Sequence, residues 1–380
     1  MNLQFLHFKK WSVFGISLLF LTLAGFRSTA QTDDISLEEL LDMDIEKMVE
    51  LQSAGRGDVG SFGYRLGNTD SRFQIHGYTT NEFISQQESV NTFDNHYYNL
   101  FVGSNIGSKI FAEIQLEYEH GGEEIQARYA QVDYKVSDAL IIRTGKFLVP
   151  INTFNEYLYP EYINKAISRP FINRNVTPTA WAEVGLQLRG NFKLSEKMTG
   201  FYSAYVVNGL EGDEGGDIRA MRNNHRDRNA DNKALGGKFG LKVSGFELST
   251  GIYNGKYTRD GEHGLTIFAI DAGYNKKGLS LRAEYNSATL GTSLDNINRS
   301  GSSVTASYII ADKIEPVVRY DFMNWDDPAD ATKDKSRTYV GVNYLISNTM
   351  NFKFGYEFIS NDGDEQLDDN VLAFQLALGF

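Results

Sequence analysis

From Phe73 onward, bulky apolar residues recur at every second position in one segment after another. Segment 352–358, FKFGYEF, is one example, because its aromatic residues alternate with a lysine, a glycine and a glutamate. A period of two is the signature of a β-strand with one apolar face and one polar face. We count about sixteen such segments of about ten residues, which is the length that a tilted strand needs to cross a bilayer.

The connections between these segments alternate between short and long. The short ones lie at 107–108, 137–138, 194–196, 244–245, 275–278, 312–313 and 347–349. The long ones lie at 86–95, 148–179, 208–232, 256–263, 287–301, 323–336 and 360–370. Short turns at one rim and long loops at the other are typical of outer-membrane barrels, whereas a soluble sandwich has no reason to sort its loops in this way. Residues 73–380 are therefore predicted to be all-β, a transmembrane antiparallel β-barrel of about sixteen strands.

The last segment, 371–380, reads VLAFQLALGF. Its leucines and Phe374 are expected to face lipid, and the small or polar residues between them are expected to face the lumen. Pairing of this strand with the first one, at 73–86, would close the barrel and remove both sheet edges. A terminal aromatic strand is also what the barrel assembly machinery recognises in outer-membrane proteins, so Phe380 is predicted to be the assembly signal.

The amino terminus has the order of a secretory signal peptide. Lys9 and Lys10 precede an apolar run at 11–24, and small residues at 28–30 offer a cleavage site. The run is too short to span a bilayer comfortably, so residues 1–30 are predicted to be a signal peptide, with an uncleaved anchor as the alternative. Export together with the barrel pattern predicts the outer membrane of a Gram-negative cell, with lipid and lipopolysaccharide as partners. The absence of cysteine excludes a disulfide framework, and the net charge of −12 argues against a nucleic-acid partner.

Residues 31–72 are predicted to lie in the periplasm. Within them, segment 32–52 has apolar residues at helical spacing with acids between them, which predicts a short amphipathic helix. The helix could dock on the barrel, pair with copies of itself or act only as a spacer. Residues 53–71 have no periodicity and are interpreted as a linker.

No motif for catalysis or metal binding stands out. After residue 30 the histidines are His76, His96, His120, His225 and His263, on different predicted strands or loops and without the spacing of a metal site. We therefore expect solvated histidines, no metal ion and no other cofactor. No GxSxG segment or similar nucleophile context is present, so an enzyme is not expected.

Segment 148–179 is much longer than a barrel connection needs to be. Loops of this length are usually functional or disordered, and the many aromatic residues of this one favour an ordered structure. Folded inward, the loop would narrow the lumen and present its charged residues to the solute; these are Glu156, Glu161, Lys165, Arg169 and Arg174. The alternative is an extracellular flap or a loop at a trimer contact.

The alternation also predicts which strand charges face the lumen. The selectivity candidates are Arg143, Glu183, Arg189, Lys238, Lys242, Arg282, Glu284 and Arg319, and further lumen-facing charges are Glu113, Glu117, Asp321, Lys353 and Glu357. Lys238 and Lys242 could form a cationic stripe with arginines across the lumen, although pairing between neighbouring strands is the favoured interpretation. The phase of the pattern slips at 124–135 and 139–147, so the facing of Arg128, Arg143 and Lys146 is left open.

Loop 208–232 carries a second group of charges. Its arginines, Arg219, Arg222, Arg226 and Arg228, follow several acidic residues of the same loop. They are expected to form salt bridges within the loop or to contact lipopolysaccharide rather than to bind a solute.

Three stretches carry a family resemblance. They are RTGKFLVP at 143–150, SRPF at 168–171 and PTAWAEVGLQLRG at 178–190, and they are similar to the corresponding part of the phosphate-selective porin O and P family. The resemblance implies a sixteen-stranded outer-membrane porin, generally a homotrimer, whose third extracellular loop folds into the channel. The phosphate-selective members line the pore with arginines and lysines, whereas the predicted lumen of this chain has a similar number of acids and bases.

These features together predict a porin, a water-filled channel for passive diffusion of small polar or ionic solutes, constricted by loop 148–179. The alternatives are a substrate-selective channel for anions such as phosphate, and a barrel enzyme. An energised transporter would need a plug domain ahead of the barrel, and residues 31–72 are too few to form one.

Overall fold

A computed structural model describes residues 73–380 with the exception of 88, 223–225, 227–232, 326–333, 348 and 362–368. The predicted signal peptide at 1–30 and the predicted helix and linker at 31–72 lie outside the described residues. Among the residues that are described, no helix is long and apolar enough to cross a membrane.

In the described part of the chain, antiparallel strands form one closed barrel. In chain order the strands are β1 Phe73–Gln86, β2 Thr92–Ile106, β3 Ile110–Glu119, β4 Glu124–Ser137, β5 Leu140–Leu148, β6 Ala182–Ser195, β7 Met198–Val207, β8 Ala234–Val243, β9 Phe246–Lys256, β10 Gly264–Lys276, β11 Leu279–Leu290, β12 Ile297–Tyr308, β13 Ile314–Asn324, β14 Lys335–Ser347, β15 Met350–Asn361 and β16 Val371–Gly379. Short helical turns lie at His120–Gly122, Phe154–Leu158 and Ile172–Asn175. The predicted fold class and number of strands are confirmed.

Closure of the barrel depends on the pairing of β1 with β16. The pairing runs from Tyr78 opposite Gly379 to Gln86 opposite Val371. Backbone hydrogen bonds of 2.8 and 2.9 Å between Gly77 and Phe380 extend this pairing by one more step. The sheet therefore has no free edge, which is what a β-structure needs inside a bilayer.

Burial along the strands is inverted relative to a soluble protein. In β13, Arg319 and Asp321 are at most 1% exposed, whereas Val318, Tyr320 and Phe322 are 43–51% exposed. In β16 the alanines and the glutamine are buried, and the leucines between them are more exposed. Charged side chains thus point into the barrel and apolar ones point outward, as in a wall that contacts lipid.

A bulge in β4 explains why the alternation slips there. Gln115 of β3 lies opposite Tyr129, but the next residue, Leu116, lies opposite Ala127, so Arg128 is an extra residue without a partner in the ladder. A bulge of this kind redirects a side chain. Here it turns the Arg128 side chain into the barrel, where the residue is 7% exposed.

Candidate solute pathway

Loop 148–179, called the inner loop from here on, lies inside the barrel. Its residues Val149, Ile151 and Val176 are fully buried and pack in one cluster with inward-facing residues of β7 to β11, such as Tyr253. A second apolar cluster joins Tyr159 of the inner loop to aromatic residues of β1, β2 and β4. Removal of this apolar surface from water holds the loop in the lumen.

A glycine in β9 allows the inner loop to approach the wall closely. A Cβ atom built at Gly251 would stand 1.9 Å from the carbonyl oxygen of Ile151, far inside van der Waals contact. Because glycine has no Cβ atom, it permits two backbones to come this close. The position of the first part of the inner loop therefore depends on this residue.

Charged groups bind the inner loop to the wall. Lys238 Nζ lies 3.0 Å from Glu156 Oε2, and Lys165 Nζ lies 2.7 Å from Glu315 Oε1. Arg319 Nη1 donates a hydrogen bond of 2.6 Å to a carbonyl of the loop. Glu156 and Lys165 were expected to face the solute, but in the structure each forms an ion pair with the barrel, because the loop lies directly against oppositely charged strand residues.

The second half of the inner loop rests on a network of two arginines and two carboxylates. Asp321 accepts hydrogen bonds from Arg319 Nε at 2.9 Å, from Arg337 Nη2 at 3.1 Å and from the backbone N–H of Phe171 at 2.9 Å. Glu357 lies 3.1 Å from Arg337 Nη1. The charges in this network balance, so Arg319 is neutralised locally.

A cavity of about 950 Å³ opens between the inner loop and the wall formed by β1 to β4 and β14 to β16. The arginines that line it are Arg128, Arg169, Arg174, Arg219, Arg222 and Arg337. The apolar cluster around Ile151 occupies the other side, between the loop and β7 to β11. The open space is therefore displaced toward one side of the barrel.

Four of these arginines converge on two adjacent backbone carbonyls. The donors are Arg128, Arg169, Arg219 and Arg222, and the acceptors are the carbonyls of Thr179 and Ala180, at 2.5 to 3.3 Å. Arg128 is also paired with Glu117 and Glu119. Within the described residues, neither Arg219 nor Arg222 forms an ion pair, so these two guanidinium groups contribute a positive field to the cavity.

Burial and repulsion from neighbouring arginines destabilise the charged forms of Arg219 and Arg222. Loss of hydration, followed by the charges of neighbouring arginines, lowers the pKa of Arg219 to about 10 and the pKa of Arg222 to about 9. Both groups remain positively charged at neutral pH. An anion bound between them would offset the repulsion and replace part of the lost hydration.

The other selectivity candidates face inward but do not line this cavity. Their polar partners are Asp133 for Arg143, Trp181 for Glu183, Tyr157 for Arg189, Glu156 for Lys238, Glu247 for Lys242, Asp271 for Arg282 and Asn173 for Glu284. Lys146, whose facing the sequence alternation does not decide, donates to the carbonyl of Ala127 at 2.8 Å. Each of the basic residues among them lies beside a polar or acidic partner.

Arg219 and Arg222 form none of the expected salt bridges within loop 208–232 among the described residues, whereas contact with lipopolysaccharide stays a prediction. In the structure, Ile218 and Met221 of the same loop are buried in the apolar cluster, and this packing carries the arginines to the cavity. Apolar residues placed between arginines are the sequence signal that could have indicated a packed segment. Of the residues predicted on the inner loop, Glu161, Arg169 and Arg174 do line the cavity.

The expectation of separate histidines was wrong for His96 and His120, and the expectation of solvated histidines was wrong for His96. The rings of His96 and His120 stack with their centroids 5.2 Å apart, because the β2–β3 hairpin brings the two residues together. The His96 side chain is only 22% exposed, and its Nδ1 lies 3.1 Å from Glu82 Oε1 and 3.0 Å from Glu161 Oε1. Histidines on different strands can be neighbours across a hairpin, whatever their spacing in sequence.

The closed sixteen-stranded barrel is the fold of the outer-membrane porins. No family model matches the chain. A stretch of 156 residues, 38% of this chain, is 29% identical to an uncharacterized protein of Aquifex aeolicus (strain VF5). The match covers 34% of that protein, so the chain spans about a third of the length of its curated relative.

Solved structures resemble the barrel over most of its length. OmpF of Salmonella typhi, in a complex with daunomycin, has a TM-score of 0.61 at 16% identity, over 83% of this chain and 99% of that chain. An anion-selective porin from Comamonas acidovorans has a TM-score of 0.61 at 12% identity, over 81% and 99%. The outer-membrane channel DcaP of Acinetobacter baumannii has a TM-score of 0.55 at 10% identity, over 81% and 97%. At these identities the likeness establishes the fold, and the predicted location in the outer membrane agrees with it.

Proposed function

We propose that this protein is a porin of the cell outer membrane, a water-filled channel through which small polar or ionic solutes diffuse passively. In this proposal the inner loop narrows the lumen, and solutes pass through the cavity beside it. The observation that carries the proposal is the cavity itself, bounded by a loop that is bound to the wall through Glu156 in its first half and Phe171 in its second. A loop held at both halves gives the passage a fixed width.

A preference for small anions is the second candidate, and the arginine cluster favours it. Arg219 and Arg222 face the cavity with backbone carbonyls as their acceptors among the described residues. A guanidinium group can donate two parallel hydrogen bonds to two oxygens of one phosphate or carboxylate, which suits a phosphate-like solute. The acids that line the cavity equal its arginines in number, so the proposed preference is moderate and depends on the local position of Arg219 and Arg222; these acids are Glu82, Glu119, Glu123, Glu124, Glu161 and Glu357. The resemblance to phosphate-selective porins implies a property of the same kind.

Planar-bilayer recording tests both candidates separately. The wild-type protein should give stepwise conductance, and its reversal potential in a potassium chloride gradient should favour chloride. The double variant Arg219→Ala, Arg222→Ala should reduce that preference several-fold. Arg259→Ala is the matched control, since Arg259 is an exposed loop arginine paired with Glu211 at 3.0 Å. An electrically silent protein would refute the channel, whereas an unchanged reversal potential in the double variant would refute only the role of the arginines.

The remaining expectations extend this proposal. Residues 1–30 would direct export, and the barrel assembly machinery would recognise β16 with Phe380. Three copies would form a homotrimer in contact with lipid and lipopolysaccharide, and a monomeric mass in mild detergent would contradict that assembly. We propose a channel and no catalytic activity, so purified protein should not hydrolyse phospholipid or peptide substrates.

A further inference from the structure

We propose that Glu82, His96 and Glu161 form a binding site for a divalent transition-metal ion at the edge of the cavity. Glu82 lies on β1, His96 lies on β2 and Glu161 lies on the inner loop, so three separate parts of the chain contribute. One ligand atom from each residue lies within 4.8 Å of the other two. The site is independent of the proposed channel activity.

The distances between the ligand atoms suit a shared ion. His96 Nδ1 lies 3.1 Å from Glu82 Oε1 and 3.0 Å from Glu161 Oε1. When two ligand atoms each lie about 2.1 Å from the same ion, their separation depends on the ligand–ion–ligand angle. It is about 3.0 Å for a right angle and about 3.4 Å for a tetrahedral angle. Within the described residues, the buried Nδ1 makes no hydrogen bond of ordinary geometry despite these short distances. An ion among the three atoms would satisfy all of them at once.

Hydrogen bonds to their Oε2 atoms hold the carboxylates of Glu82 and Glu161 in this orientation. Gln375 Nε2 donates to Glu82 Oε2 and to Glu161 Oε2, each at 3.1 Å. Thr80 Oγ1 donates to Glu161 Oε2 at 3.3 Å. Hydrogen bonds to the outer oxygens of metal ligands fix the ligands before the ion arrives. Here they leave the Oε1 atom of each carboxylate directed at His96.

A second group beside this one is a weaker candidate for the ion. Asp94 and His120 have ligand atoms within 4.8 Å of one another and of His96. However, His120 Nδ1 and Asp94 Oδ2 already share a hydrogen bond of 2.7 Å, and His120 is exposed. The carboxylates of Glu82 and Glu161 are 4–5% exposed, so they are the pair with most to gain from a cation.

The donor set indicates the class of ion. One imidazole nitrogen and two carboxylate oxygens suit zinc and similar ions, whereas calcium and magnesium prefer oxygen ligands only. A doubly charged ion would neutralise the two carboxylates. It would also join the inner loop, through Glu161, to the wall at β1 and β2, with its remaining coordination positions open to water.

Zinc binding by the full-length protein in detergent micelles tests the site. The protein is stripped with a chelator, titrated with zinc in a calorimeter, and checked by X-ray absorption at the zinc edge. We expect one zinc ion per chain, with nitrogen and oxygen ligands that include one imidazole. His96→Gln and Glu82→Gln should each weaken binding by at least tenfold. His263→Gln is the matched control, since His263 lies 3.6 Å from a single carboxylate, that of Glu214.

The outcomes decide between the ion and its alternatives. A test variant counts only if it retains the heat-dependent gel mobility of a folded barrel. If one of the two variants fails to fold, the other still tests the site. A wild-type protein that binds no zinc would overturn the proposal and leave His96 as a protonated bridge between two carboxylates. Unchanged affinity in His96→Gln, or equal loss in His263→Gln, would also overturn it. Loss of binding in His120→Gln with full binding in Glu82→Gln would place the ion elsewhere and refute the assignment made here.

Discussion

The close contact at Gly251 allows a strong test of the inner loop's position. Replacement by alanine adds one Cβ atom, which would stand 1.9 Å from the carbonyl oxygen of Ile151, whereas ordinary contact begins at about 3.4 Å. The loop backbone must therefore retreat by about 1.5 Å. Asn152, the next residue, would move with it and strain its hydrogen bond of 2.8 Å to Asn173. Overpacking of this kind costs about 1–3 kcal/mol.

Unfolding by urea in lipid vesicles measures this cost through tryptophan fluorescence, to which the fully buried Trp181 contributes. We expect Gly251→Ala to lower the free energy of unfolding by about 1–3 kcal/mol and to change the single-channel conductance. Gly264→Ala is the matched control, because the nearest atom to its added Cβ lies 4.0 Å away. The two variants restrict the unfolded chain equally, so their difference reports the folded state. Equal values for the two variants would refute the contact between the loop and β9.

Two further predictions concern the barrel. Asp321→Asn leaves Arg319 and Arg337 buried without one of their counter-charges, so the free energy of unfolding should fall by about 3 kcal/mol. Asp138→Asn is the control, because Asp138 is exposed and its replacement should change the free energy of unfolding little. A small effect of Asp321→Asn in the same urea assay would argue that water screens the network. Deletion of Phe380 removes its two backbone hydrogen bonds to β1 and should lower the amount of protein in the outer membrane, while molecules that do insert keep their conductance. Normal membrane levels of the truncated protein would contradict its role in assembly.

The strands were predictable because each one obeys a local rule. A segment such as 352–358 alternates between residues that suit lipid and residues that suit water, and this pattern needs no knowledge of the rest of the chain. The closure of β1 on β16 followed because a bilayer does not tolerate an unpaired edge. The position of the inner loop could be anticipated from its length and its aromatic residues.

The details of the pathway depended on contacts that the sequence pattern does not contain. The bulge at Arg128 adds one residue to β4. The sequence shows only that the alternation is interrupted in this strand and does not indicate which residue is the extra one. The pairing of Glu156 with Lys238 joins residues that are distant in sequence, so it follows from where the loop lies. The contact of His96 with Glu161 depends in the same way on the path of the inner loop. Local periodicity constrains each strand, whereas these sites are set by how the loops return into the barrel.

The off-centre position of the cavity gives the two sides of the lumen different tolerance to change. Tyr253 of β9 and Ile267 of β10 are part of a fully buried apolar cluster, and substitutions there should behave as they do in the core of a globular protein. The residues of β1 to β4 and β14 to β16 that line the cavity, such as Ile84, border open space, where a new side chain meets fewer neighbours. The apolar cluster around Ile151 thus stabilises the fold, whereas the cavity-lining positions should tolerate substitution. New solute preferences should be attainable by engineering the cavity-lining residues alone.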